Sequence, residues 1–92
     1  MIKVYFFEFY IYTMYIYKPM EKSIAIHTPF ITLTQMLKLA NLIDFGAQAK
    51  LFLKSTKVLV NTQEETRRGR KLYIGDVVEI NNIKYLIKKE NK

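Results

Sequence analysis

The pattern of apolar and polar positions changes near residue 20. Residues 4–17 read Val-Tyr-Phe-Phe-Glu-Phe-Tyr-Ile-Tyr-Thr-Met-Tyr-Ile-Tyr, an almost unbroken apolar and aromatic run. From Met20 onward the chain has readable periods. Ser23 to Thr28 alternates with period two, which predicts a short strand that Pro29 ends. Leu33, Met36, Leu37 and Ala40 recur at helical spacing and predict a helix over about 33–42 with one apolar face. Thr32 followed by Gln35 fits a capping box at its start. Asn41-Leu42-Ile43-Asp44 reads as a tight connector, with Asp44 as the cap of a second helix over about 45–54. Phe45, Ala49, Phe52 and Leu53 form its expected apolar face.

Strands follow the helices. Val58-Leu59-Val60 is the first, and Asn61 to Glu64 reads as a turn region. Leu72-Tyr73 is a short strand, Gly75-Asp76 a turn and Val77 to Ile80 a strand. Asn81-Asn82 is a two-residue hairpin signal, because Asn tolerates positive φ. Ile83 to Ile87 returns as the last strand, and Lys88, Lys89 and Lys92 read as a frayed basic tail, with residues 89–92 set apart as that tail. The domain proper is expected over residues 20–88. The aromatic leader, residues 1–19, is too short for a comfortable transmembrane helix and is interrupted by Glu8 and Thr13. It reads as an extension upstream of a true start at Met20.

Charge sharpens the picture. The 92 residues carry a formal net charge of +7 and contain no cysteine. Cysteine absence excludes a disulfide framework and a thiolate metal site, and suits the cytoplasm. Residues 1–19 hold Lys3 and Lys18 against Glu8, so +6 of the +7 belongs to residues 20–92. Four cations in five residues, Arg67, Arg68, Arg70 and Lys71, lie between strands. They must project into solvent or onto a polyanion, since each desolvated charge needs a partner. Pairing of Arg67 and Arg68 with Glu64 and Glu65 is expected in part, but two carboxylates do not neutralise four cations. One histidine, His27, reads as structural, and Asp76 as a turn former. No Gly-rich phosphate loop and no cluster with metal-ligand spacing is present, so neither catalysis, cofactor nor metal is expected.

Residues 31–80 resemble the S-four-type RNA-binding domain, the alpha-L motif, and more narrowly its stand-alone bacterial YaaA/YbcJ-like form. The residues that carry this are Ile31-Thr32-Leu33, Leu37 to Ala40, Leu42-Ile43-Asp44, Gly46 to Lys50, Val58 to Asn61, Glu65 to Leu72 and Gly75 to Val78. The resemblance implies an α+β fold, a helix hairpin packed on a short, mostly antiparallel sheet. It also implies a non-catalytic protein that grips structured RNA, ribosomal or transfer, without a small-molecule substrate. Its positive face would comprise Lys38, Gln48, Lys50, Arg67, Arg68, Arg70 and Lys71. Position adds Lys54 and Lys57 as basic neighbours. Gly46 and Gly69 would permit close backbone approach.

Three departures stand out. Thr62 replaces the family's Gly after Asn, so a different turn is expected there. Ser55-Thr56 replaces an acidic-Gly pair, and Gly46-Ala47 replaces two glycines. Two other functions stay open. One is a ribosome-associated adaptor that docks by its sheet edge. The other is a peripheral membrane protein that uses the aromatic leader as anchor and the cations for anionic lipid, and both rank below RNA binding.

Overall fold

The computed structural model describes residues 20–91, so the aromatic leader and its proposed upstream origin lie outside the described residues. The described residues form seven strands and two α-helices. They are β1 (Met20–Ile26), β2 (Phe30–Thr32), α1 (Leu33–Leu39), α2 (Ala49–Ser55), β3 (Val58–Val60), β4 (Gln63–Glu64), β5 (Lys71–Tyr73), β6 (Val77–Ile80) and β7 (Ile83–Lys89). A 3₁₀ turn, Gly46–Gln48, leads into α2. The main sheet has the order β1-β7-β6-β3-β4, and β2 pairs with β5 separately. All pairs are antiparallel except β1 with β7. The expected α+β architecture, a helix hairpin on a mostly antiparallel sheet, is therefore present.

Helix α1 begins as its sequence predicts. The Thr32 hydroxyl accepts from the Gln35 amide, and the Gln35 side chain accepts from the Thr32 amide at 2.8 Å. The helix ends earlier than its apolar spacing suggested. Asn41 adopts φ 60°, and the Leu42 amide donates back to the Leu37 carbonyl at 3.0 Å, closing the last turn. Leu33, Met36 and Leu37 are fully buried. They meet Ala49 and Leu53 of α2, Leu72 of β5, and Val58, Val60, Val78, Ile80, Tyr85 and Ile87 of the sheet in one core.

The second helix differs from expectation. Its first turn is 3₁₀ and the α-helix proper starts only at Ala49. Asp44 does not cap it. Instead the Gln48 side-chain oxygen accepts from the amides of Asp44 and Phe45, at 2.6 and 2.8 Å. Gly46, a poor helix former, sits inside that tight turn. Phe45 was expected on the apolar face, yet it is 70 % exposed, because the tight turn lifts it off the core.

Strand β2 was not foreseen. Three residues after a proline carry little periodicity of their own, and the strand exists because Phe30, Ile31 and Thr32 pair with Tyr73, Leu72 and Lys71. Gln63 and Glu64 likewise form β4 rather than a turn. Lys88 and Lys89 are not frayed, since β7 runs through them beside β1. His27 lies past β1, exposed, with Nδ1 3.6 Å from Glu90, so it takes no part in the core.

Both tight hairpins have two-residue turns. Asn81 and Asn82 join β6 to β7 with φ 50° and 67°, as their sequence predicts. Asn61 and Thr62 join β3 to β4 with φ 50° and 73°. The turn expected to differ at Thr62 is thus kept, and Thr62 is held in a backbone region that disfavours β-branched residues. Thr62→Gly should stabilise the domain by about 1 kcal/mol, read as a higher urea midpoint at unchanged slope. Leu37→Ala, at a fully buried site, should cost about 2–5 kcal/mol in the same measurement.

Candidate nucleic-acid interface

The loop between β4 and β5 holds the basic run, and its backbone is anchored to α1. The Leu33 amide donates to the Arg70 carbonyl at 2.8 Å, and the Thr34 amide to the Arg68 carbonyl at 3.0 Å. The Thr34 hydroxyl adds a third bond to the Arg68 carbonyl at 2.9 Å. Carbonyls of the basic loop thus satisfy amides that the first turn of α1 leaves without intrahelical partners. Helix and loop are placed relative to each other by these bonds.

The loop's side chains are organised by Glu65, which is only 7 % exposed. Its Oε2 accepts from the amides of Thr66 and Arg67 and from Arg67 Nε. Its Oε1 accepts from Arg67 Nη2 at 3.0 Å and from Arg70 Nη1 at 2.7 Å. The side-chain bonds from Arg67, outweighing the opposing cost of burial and aided by Arg70, lower the Glu65 pKa from 4.5 to about 2. Arg67 in turn holds its proton more tightly. The pairing differs from the sequence expectation. Arg70, not Arg68, is the second partner, and among the described residues Arg68 and Glu64 form no ion pair. Arg70 is two-thirds buried, which its carboxylate partner permits.

The structure divides the expected site residues between two concavities. Lys50, Lys54 and Lys57 line a groove of about 490 Å³ together with Glu64, Glu65 and Thr66. Arg67, Arg70 and Lys71 line a hollow of about 410 Å³ with Gly69 and Tyr73. Glu65 and Thr66 in the groove adjoin Arg67 in the hollow, so one stretch of backbone borders both. Lys38, Gln48 and Arg68 are exposed but line neither. Gln48 spends its side-chain oxygen on the turn before α2, leaving its NH₂ as a donor.

Of the two glycines expected to permit close approach, Gly46 has one ordinary neighbour, Thr34 Cγ2, at 3.6 Å from a hypothetical Cβ. Gly69 has nothing within 4 Å and no left-handed φ. Neither position is demanded by the fold. Two residues went unnoticed in the sequence. Glu65 was read as a surface partner, though it is the centre of the loop. Tyr73 was read only as a strand residue, although the alternation Lys71-Leu72-Tyr73 puts it on the same face as Lys71.

The Glu65 pair makes stability pH-dependent with a definite sign. A carboxyl whose folded pKa is depressed stabilises the protein above its unfolded value and ceases to do so as pH falls through the folded one. Its contribution, about 3 kcal/mol at neutral pH, should vanish between about pH 4.5 and pH 2. Glu65→Gln should therefore lower the urea midpoint at pH 7, and the gap to wild type should close over that window.

The S4 domain family model matches residues 24–88, from β1 into β7. The probable ribosome maturation protein RlbA of Bacillus subtilis (strain 168) is 57 % identical over 61 residues, which cover 66 % of this chain and 86 % of that protein. The helix pair, the anchored basic loop and most of the sheet lie within the matched stretch, and the chain belongs to the S4 domain family.

Proposed function

We propose that this protein is a non-catalytic RNA-binding module, and that it holds structured ribosomal RNA on the face formed by the groove and the hollow. One observation carries the reading. Between Lys50 and Lys71 stand seven cations (Lys50, Lys54, Lys57, Arg67, Arg68, Arg70 and Lys71) against two carboxylates, a local charge of +5. The buried carboxylate, Glu65, is spent on fixing two of those cations. Such a density of like charge is costly for the protein alone and is relieved by a polyanion.

The parts suit phosphate in different ways. Arg67 and Arg70 keep N–H groups beyond those given to Glu65, in a fixed planar fork. Lys50, Lys54 and Lys57 supply point charges on flexible stems around the groove. RNA helices are recognised largely by shape and backbone, which a concave cationic face serves without a base code. The similar Bacillus protein is named for ribosome maturation, which favours ribosomal over transfer RNA and a cytoplasmic place of action.

Affinity for ribosomal RNA fragments should fall steeply with salt. About four to five phosphate contacts give a log–log slope of roughly −3 to −4.5. Replacing Lys50, Lys54 and Lys57 together by Gln should flatten that slope by about 2–3 without lowering the urea midpoint. A wild-type slope near zero defeats the electrostatic mechanism. Crosslinking the full chain to RNA in cells, with an Arg68/Lys71-to-Gln variant as control, should enrich ribosomal RNA in wild type only. Binding that survives every charge removal would favour the sheet-edge adaptor instead.

A further inference from the structure

Cations account for only part of the hollow beside the basic loop. Its remaining wall is Tyr73, which is 49 % exposed. Strand β5 turns Leu72 into the core, fully buried, and Lys71 and Tyr73 outward. Across the β2–β5 pair Tyr73 faces Phe30, with ring centroids 5.8 Å apart and planes at 48°. Lys71 Nζ lies 4.8 Å from the Phe30 ring centroid. Phe30 thus packs against the Tyr73 ring and also attracts the Lys71 ammonium.

Tyr73 is also fixed at its backbone. Its amide donates to Asp76 Oδ2 at 2.8 Å, and its carbonyl accepts from the Asp76 amide at 2.9 Å. Asp76 is held in turn by Asn61, whose Nδ2 donates to Asp76 Oδ1 at 3.1 Å. Glu65 fixes Arg67 and Arg70, which line the same hollow. Tyr73, Arg67 and Arg70 therefore border a common space, the first held at its backbone and the other two at their guanidinium groups. Pre-organisation of this kind lowers the entropy lost on binding.

Gly69 completes the picture. A Cβ there meets nothing within 4 Å, and the backbone has no left-handed φ. The fold would accept a side chain, and that side chain would occupy open space at the rim of the hollow. The hollow is an open depression of about 410 Å³, wide enough for a planar group to lie against its wall.

We propose that the hollow receives one unpaired nucleobase, stacked on Tyr73, with the adjoining phosphate on Arg67, Arg70 and Lys71. This rests on the RNA-binding reading and adds to it a preference for RNA with a base outside its helix. Paired bases are stacked on their neighbours and cannot offer a free face to an aromatic side chain, whereas bulged and loop bases can. Stacking tolerates any base, so the preference is for an unpaired nucleotide and not for a sequence.

The test uses the full chain and two synthetic RNA hairpins, one fully paired and one carrying a single bulged uridine. Wild type should bind the bulged hairpin about 5- to 100-fold more tightly than the paired one. Tyr73→Leu and Gly69→Val should each abolish that preference with the salt slope on the paired hairpin unchanged. Tyr73→Phe should retain the preference, which separates ring stacking from loss of fold. Ultraviolet crosslinking followed by peptide mapping should place the bulged uridine on Tyr73. Equal affinity of wild type for both hairpins overturns the base site and leaves the charge-based reading standing if the salt slope persists. Failure of wild type to bind either hairpin or ribosomal RNA overturns both.

Discussion

The carboxylate of Glu65 stays ionised at 7 % exposure because it accepts bonds from the Arg67 and Arg70 guanidinium groups and from two backbone amides. A buried charge without such partners would be destabilising by several kcal/mol. The pairing runs both ways. It lets the anion be buried, and it holds two cations of a strongly basic loop in fixed positions. The loop so fixed then offers the Arg68 and Arg70 carbonyls to the first amides of α1. One ion cluster thus connects the helix, the loop and the mouth of the site. Among the described residues Glu65 is the one charged side chain buried in this way.

Backbone constraints at the hairpins work toward the same geometry. Asn61 and Thr62 turn β3 into β4, and β4 leads directly into Glu65. The Asn61 side chain reaches the turn before β6, with Oδ1 accepting from the Val77 amide and Nδ2 donating to Asp76. Asp76 in turn holds the backbone of Tyr73. Gly75, at φ 97°, allows the chain to reverse between β5 and β6. The strain carried by Thr62 is supported by this surrounding network, since the strand pairing on both sides dictates the turn.

The distribution of cost is informative. The fold spends a buried charge and an unfavourable threonine conformation on the region around the basic loop, while its hydrophobic core is an ordinary cluster of mostly aliphatic side chains. Local departures from easy folding rules collect where proteins bind ligands. Gly46 and Gly69, which the fold does not require, lie in the same part of the molecule.

Much of this was legible in the chain because it depends on neighbours in sequence. The capping box of Thr32 and Gln35, the apolar stripe of Leu33, Met36 and Leu37, and the Asn81-Asn82 hairpin each involve residues at most four apart. The family resemblance over residues 31–80 gathered the basic residues into one expected face. The sequence by itself therefore determined the α+β class, the order of the main elements and the sign of the surface. Only the tertiary structure decided which cations are bound to Glu65, where Tyr73 stands beside them, and that Phe30 to Thr32 form a strand. Phe30 and Tyr73 are 43 positions apart, and the paired residues of their two strands are 39 to 43 apart. Contacts over such separations arise from how the helices and sheet pack, and no local period encodes them.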